Sequence, residues 1–479
     1  ADPFHNPLLL LAPALLMFAL GLLALRLFPR LLSLLAWLFA KLPGVSLVTA
    51  LRFLSRTPRA YGGPVLLMML TLSLATFTAS MARTLDQHSQ DRARYRAGAD
   101  ARLASPGASI VTGGDMRDLP RALLTQASSD GAAQDVALEA SNDYYYIPTE
   151  DYLTISGVQA ATRVAVSSVD LKIGQGSAQD GLFYGVDREK LAAVLSDTWR
   201  DDYADESLGA LMNHLAESPE SVLVSEKLFK ESGLRVGDRI SIEMSDLGTR
   251  QDVLFTVAGI LGYFPTLYPE DKPFIIGNLD HSFDMQSGQY DFEVWLDLKP
   301  GTNIQGIEAA AYGYGLRLIA ATPERLLSID TLRPERQGLF GLLSVGFLST
   351  ALVTIIGFLT YTLYSFQRRL VEMGVMRAIG LSSRQLAVLL ISEQSLVIGV
   401  STILGTLFGM LASSMFLPFM QVRIGLFPDT PPFLVHIAWD QIMLVYGIAA
   451  LMLVITVVVT LLLLGRMRIF EAVKLGEAV

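Results

Sequence analysis

Five stretches of this chain carry no charged side chain over a length that could cross a bilayer, and nothing else in the sequence constrains its fold as tightly. They are Pro7–Leu25, Ala60–Ala82, Gly338–Phe366, Gln394–Val422 and Gln441–Gly465. A hydrocarbon core about 30 Å thick takes roughly 20 apolar residues as a helix, which satisfies its own backbone where no water can. The first stretch could pass for a secretion signal, but it lacks a basic lead, and Arg26 and Arg30 follow it instead. It reads as a span. Composition agrees, since the chain is 51% hydrophobic and 17% charged, where soluble domains carry about 25% charge.

Charge then sets an orientation. Residues 26–59 hold Arg26, Arg30, Lys41, Arg52, Arg56 and Arg59 with no acid, and residues 367–385 hold Arg368, Arg369, Arg377 and Arg384 against Glu372 alone. The tail adds Arg466, Arg468 and Lys474 against Glu471 and Glu477. Residues 83–337 are the reverse, with 23 basic and 39 acidic side chains. Short basic loops stay in the cytoplasm. Five spans then place the N-terminus and residues 84–336 outside and the C-terminus inside.

The external residues show short apolar, β-type runs at Val136–Ala140, Thr162–Val166, Ser221–Val224, Arg239–Glu243, Val253–Val257, Phe274–Ile276 and Phe292–Leu296. Helical patterns lie between them at Leu191–Trp199, Ser207–Leu215, Glu226–Ser232 and Asn303–Tyr314. Interleaved strands and helices point to an α+β or α/β domain. Gly237 and Asp238 supply a turn into a strand that sends Ile240 and Ile242 to one face. Thr84–Arg96 is polar and helix-compatible, and is expected to carry the second span outward as a stalk. The Tyr144–Tyr146 run suits sheet packing better than a binding site.

Several functions are disfavoured. A net charge of −9 disfavours nucleic acid as a partner. With no cysteine there is no thiolate metal site or thiol nucleophile, and the five histidines are scattered rather than paired at ligand spacing. The sequence has no Gly-x-Ser-x-Gly elbow, no His-Glu-x-x-His and no Gly-Lys pair of a phosphate loop. No catalytic or metal-binding residue is therefore assigned, and any ATP must be bound by another polypeptide.

Residues 366–409 carry a motif. A basic pair, Arg368 and Arg369, precedes Glu372-x-Gly374-x-x-Arg377-Ala378-x-Gly380, then Arg384, Glu393 and a span with Gly399, Gly405 and Gly409. This resembles the FtsX-like permease family, which includes MacB-type transporters and the lipoprotein-releasing LolC and LolE. Met373 stands where an Ile is usual. Val45–Arg59 looks like the family's amphipathic lead-in to its first span. Gly181–Asp187, Ser221–Leu228 and Phe255–Ile260 look like its MacB-like external domain, and Arg466–Glu477 like its closing tail. The resemblance spans residues 45–479, one four-span module. The additional first helix makes the chain look like the last linker span and second module of a ten-span member.

The expected fold is an α-helical membrane protein of five transmembrane helices with a large α+β extracytoplasmic domain of MacB-like type, in a bacterial cytoplasmic membrane. Its expected parts are a linker span (1–28), a cytoplasmic amphipathic segment (29–59), a span (60–83), the external domain (84–336), a span (337–367), a coupling helix (368–385), a span (386–422), a short external loop (423–440), a span (441–465) and a cytoplasmic tail (466–479). The resemblance implies a permease that does no covalent chemistry itself. It implies a separate ABC ATPase holding ATP and magnesium, a second permease module in the same longer chain or as a dimer, and an amphiphilic or lipoprotein cargo. Rival readings are a regulator of a cell-wall hydrolase within the same family, or a membrane-anchored sensor without an ATPase.

Particular residues acquire roles on this reading. Arg368, Arg369, Glu372, Gly374, Arg377, Gly380 and Arg384 would form the ATPase contact, although an amphipathic basic helix can equally lie on anionic headgroups. Glu393 sits roughly 10 Å into its helix counting from Leu386, placed for an ion pair with a cytoplasmic arginine or for solvation at the bilayer edge. Ser401, Gly405, Gly409 and Ser413 recur every four residues, a small-residue stripe that lets two helix backbones approach.

Overall fold

A computed structural model of the protein describes residues 7–39, 58–104, 147–173, 178–246, 249–286, 288, 290, 292–314, 319–331, 334–368, 376, 380, 382–420 and 430–466. The described chain divides into two compact units. One comprises residues 1–87, 334–421 and 434–479, and the other residues 88–333 and 422–433.

The first unit is helical. Its long elements are α1 (Pro7–Phe39), α2 (Pro58–Ala97, whose residues from His88 onward belong to the second unit), α10 (Pro334–Arg368), α11 (Ser383–Phe416) and α12 (Trp439–Arg466). Four of these, α1, α2, α11 and α12, contain stretches long and apolar enough to cross a membrane, and among the described residues of α10 an apolar stretch runs Leu343–Gly357. The helix α1 does not stop at the end of its uncharged stretch but continues through Arg26, Arg30 and an internal Pro29 to Phe39. Thr84–Arg96 is helical, as the sequence suggests, and belongs to the same 40-residue helix as the second span.

A core joins four helices: Ala24, Phe28 and Leu32 of α1, Val65, Met68, Met69, Leu72 and Ala75 of α2, Val397 and Ile398 of α11, and Val445, Ala449 and Met452 of α12. Opposite faces are also apolar. On α11, Ile403, Leu407, Leu411 and Met415 are exposed while Ser401, Gly405, Gly409 and Ser413 face inward. In water such a helix would turn its leucines in. Leucines outside and hydroxyls inside is the arrangement that a lipid solvent favours.

The second unit is α+β. Its elements are β1 (Ala101–Ala104), α3 (Thr149–Tyr152), β2 (Val158–Lys172), β3 (Gln179–Val186), α4 (Arg188–Val194), α5 (Leu208–Ala216), β4 (Ser221–Ser225), α6 (Glu226–Ser232), β5 (Arg239–Asp246), β6 (Thr249–Leu261), β7 (Phe274–Asn278), α7 (Leu279–Met285), β8 (Glu293–Leu298), α8 (Ile304–Gly313), β9 (Ile319–Ala321) and α9 (Pro323–Thr331). Among the described residues nine strands form one sheet in the order β3-β7-β4-β6-β5-β2-β8-β1-β9, and a further β3–β2 pairing closes the first six into a ring. The long strand β2 makes this possible. Its first half pairs with β8 and its second half with β5 and β3.

Strand alternation sends neighbouring residues of β3, β4 and β7 into two different core clusters. Leu182, Tyr184, Leu223, Phe274 and Ile276 join one cluster around the fully buried Trp295. Phe183, Val222, Val224 and Ile275, the residues between them, join another with Ile240, Ile242, Met244 and Phe255. The strands β3, β4 and β7 therefore bury both faces, and β4 is buried at every position. Six of the seven apolar runs read as strands fall within strands, with Phe292 lying just before β8. Val136–Ala140 and the Tyr144–Tyr146 run lie outside the described residues. The helix expected at Leu191–Trp199 instead spans Arg188–Val194, directly after Asp187, a residue type suited to the start of a helix.

Candidate coupling site and helix seam

The loop before α11 closes on a local structure written in its own sequence. Gly380 has φ +107°, a conformation that a side chain opposes and glycine accepts. Ser382 then caps α11. Its hydroxyl accepts from Gln385 N at 3.3 Å, and the Gln385 side chain accepts from Ser382 N at 3.0 Å. This reciprocal Ser-x-x-Gln box satisfies two backbone donors that the helix leaves free. Arg384 is exposed in the first turn, where the helix dipole disfavours a cation by about 0.3–1 kcal/mol. Local helix stability therefore does not account for it. Arg368 ends α10, and only its backbone is described, while Arg369, Glu372, Gly374 and Arg377 lie outside the described residues.

Two turns further along α11, Glu393 is 3% exposed and Gln394 7%. The protein itself covers the Glu393 side chain. Gln394 Oε1 accepts no hydrogen bond among the described residues.

The stripe meets α2. A Cβ built on Gly405 would lie 3.0 Å from the carbonyl oxygen of Met69, and one on Gly409 would lie 2.6 Å from that of Ser73 and from Thr76 Cβ. Real Cβ atoms do not approach so closely, so these two glycines allow the backbones to touch. Ser401 and Ser413 are fully buried on the same stripe, and Ser413 donates to Gly409 O at 2.9 Å within its own helix. The buried hydroxyls of Thr76, Ser401, Thr402 and Thr406 have no partner among the described residues. Contact across the seam thus rests on close packing rather than on hydrogen bonds from these groups. Gly399, on the same helix, has nothing within 4 Å of its Cβ position.

In the α+β unit, sequence reading did not find a cluster around Arg200. Its Nη1 donates to Asp91 of α2 at 3.0 Å, its Nε and Nη2 to Asp202 at 2.9 and 2.6 Å, and Nη2 also to Pro432 O at 3.0 Å. Nearby, Thr430 donates to the Glu270 carboxylate at 2.8 Å, and the ring of His88 meets that of Phe433 edge-on at 4.9 Å. These partners are separated by 109, 160 and 232 residues in sequence, so no local pattern announces them. Elsewhere in this unit, burial, and then the charge and hydrogen bond of Asp100, push the Asp297 carboxyl up to about 6. Among the described residues no group of three or more His, Asp or Glu side chains could hold a metal.

Residues 344–472 match the family model described as FtsX-like permease C-terminal. No curated protein gives a significant match. Among solved structures, the periplasmic region of MacB from Actinobacillus actinomycetemcomitans aligns at 12% identity and a TM-score of 0.30, over 49% of this chain and 94% of that one. The extracellular domain of the noncanonic ABC-type transporter YknZ from Gram-positive bacteria aligns at 12% identity and 0.26, over 36% and 86%.

Proposed function

We propose, from the FtsX-like permease C-terminal domain that the chain carries over residues 344–472, that it is the membrane subunit of an ABC-type transporter. On this reading it couples ATP hydrolysis in a separate ATPase to movement of its α+β domain. The family match carries the proposal, because it covers the loop, Glu393 and the two seam glycines of α11 together. Arg368, Arg369, Glu372, Gly374, Arg377, Gly380 and Arg384 form the ATPase contact. The exposed Arg384, placed where its own helix disfavours it, fits that role, since a partner's carboxylates can repay the cost. Buried Glu393 then links the loop to the spans, and Gly405 and Gly409 let α11 move with α2. A second permease module completes the assembly, and the cargo is an amphiphile or lipoprotein met on the outer side.

Arg377→Glu is expected to lower ATPase co-purification, or stimulated ATP turnover, about tenfold, the effect of losing about 1.4 kcal/mol when a docked charge is reversed. Membrane levels should not change. Normal coupling at normal expression would remove the loop from the ATPase contact.

The proposed topology has five spans, with α10 as the third, a cytoplasmic C-terminus and residues 84–336 outside. The absence of native cysteine allows a clean labelling test. In intact cells Asn6→Cys should react with an impermeant thiol reagent and Ser55→Cys should not. The opposite pattern would invert the topology.

A further inference from the structure

Residues 430–438, which lead into α12, are held at several points. In the α+β unit, Thr430 is 2% exposed and donates to both Glu270 carboxylate oxygens at 2.8 Å. Pro432 O accepts from Arg200 Nη2 at 3.0 Å, and Phe433 packs against His88. In the helical unit, Thr84 Oγ1 of α2 donates to His436 O at 3.1 Å and accepts from His436 N at 3.0 Å, and Ser80 Oγ accepts from Ala438 N at 3.4 Å. Residue 439 then begins α12.

Such anchorage exceeds what a connection needs. Turns between helices generally lie on the surface and leave their backbone to water. Here one guanidinium is divided among three acceptors, Asp91, Asp202 and Pro432 O, which the planar fork of arginine can serve at once and an ammonium cannot. Asp91 is itself 8% exposed, so the guanidinium lies against a poorly hydrated carboxylate, where charge-assisted hydrogen bonds are strongest.

We propose that residues 430–433 form a strap, clamped to the α+β domain by Arg200 and Glu270, through which displacement of α11 and α12 pulls on that domain. Arg200 is a positioning residue in this device, acting through Pro432 and Asp91. The pulling role rests on the permease reading; the clamp does not.

The test uses the full chain in lipid nanodiscs with Arg200→Lys, which keeps the charge but not the fork, and Thr430→Val, which keeps the shape but not the hydroxyl. Amide hydrogen exchange of residues 433–438 should rise about tenfold in both variants, while the unfolding midpoint of the α+β domain stays within a few degrees of the parent. Thr430→Ser should restore slow exchange. With the ATPase that co-purifies with the parent, stimulated ATP turnover should fall in the two variants that release the strap and recover in Thr430→Ser. Unchanged exchange in both variants overturns the clamp. Faster exchange with unchanged stimulation overturns the pulling role. A parent that responds to no ATPase sinks the permease reading and the pulling role together, and exchange still decides the clamp.

Discussion

Gly409→Leu is expected to destabilise the helical unit more than any other single change in its spans. The added Cβ alone would stand 2.6 Å from Ser73 O, a backbone atom that cannot rotate away. Overpacking of this kind typically costs about 1–3 kcal/mol for a few extra methylenes, and separating the helices would also forfeit dispersion contacts along the seam. Gly409→Ala already introduces the clash, so it should lower the thermal midpoint in detergent by about 5 °C, and Gly409→Leu by more. Two controls on the same helix separate packing from a general intolerance of substitution. Gly399→Ala enters open space and should be neutral or stabilising by about 0.5–1 kcal/mol, the helix preference for alanine over glycine. Leu407→Ala trims a 52% exposed side chain and should cost little. If Gly409→Leu unfolds at the parent's temperature, the seam is not a close contact.

Trp295→Ala should have the largest effect in the α+β domain. The side chain is 0% exposed and stacks on Phe264 at 6.2 Å within the cluster that also holds Tyr184, Phe274 and Leu267. Truncating a buried aromatic costs about 3–5 kcal/mol through lost transfer energy and the cavity left behind, a large share of the 5–15 kcal/mol that holds a domain folded. A soluble measurement is not needed, because limited proteolysis of the full chain in membranes reports the same opening. Cleavage within residues 158–298 should accelerate at least tenfold. Val236→Ala, at a 60% exposed position in the same domain, should leave the rate unchanged. Equal rates for the two variants would mean that Trp295 does not hold the core together.

Local features were legible in the sequence because their causes are local. Uncharged length marks helices that can cross a bilayer, and four of the long helices meet that test in the structure. Ser382 and Gln385, three residues apart, already spell the cap of α11. The turn at Gly237 and Asp238 leads into β5, where Ile240 and Ile242 are buried as the alternation requires. Gly233, at φ +63°, ends α6 after Ser232, where the sequence reading ends it.

Other features only the tertiary structure decided. Alternation fails for β4, whose five residues are all buried, so burial on both faces follows from pairing across the whole domain and not from a period-two pattern. The apolar pattern marks no strand at β1, β3 or β9. Ala101–Ala104 is held by Val294–Leu296 of β8 and Ile319–Ala321 of β9, far along the chain, and Gln179–Val186 lies between β2 and β7. Short segments gain strand structure from partners, and the sequence does not name the partner. The small-residue stripe on α11 was visible as a stripe, but that it meets α2 was not, because periodicity gives a face and never its neighbour. Arg200 is the extreme case. One arginine among several in an acidic domain becomes a clamp only when folding brings Asp91 and Pro432 to it, where its planar fork can serve several acceptors at once. Local chemistry thus fixed where helices start, cap and can enter lipid, while long-range contact fixed what each face touches.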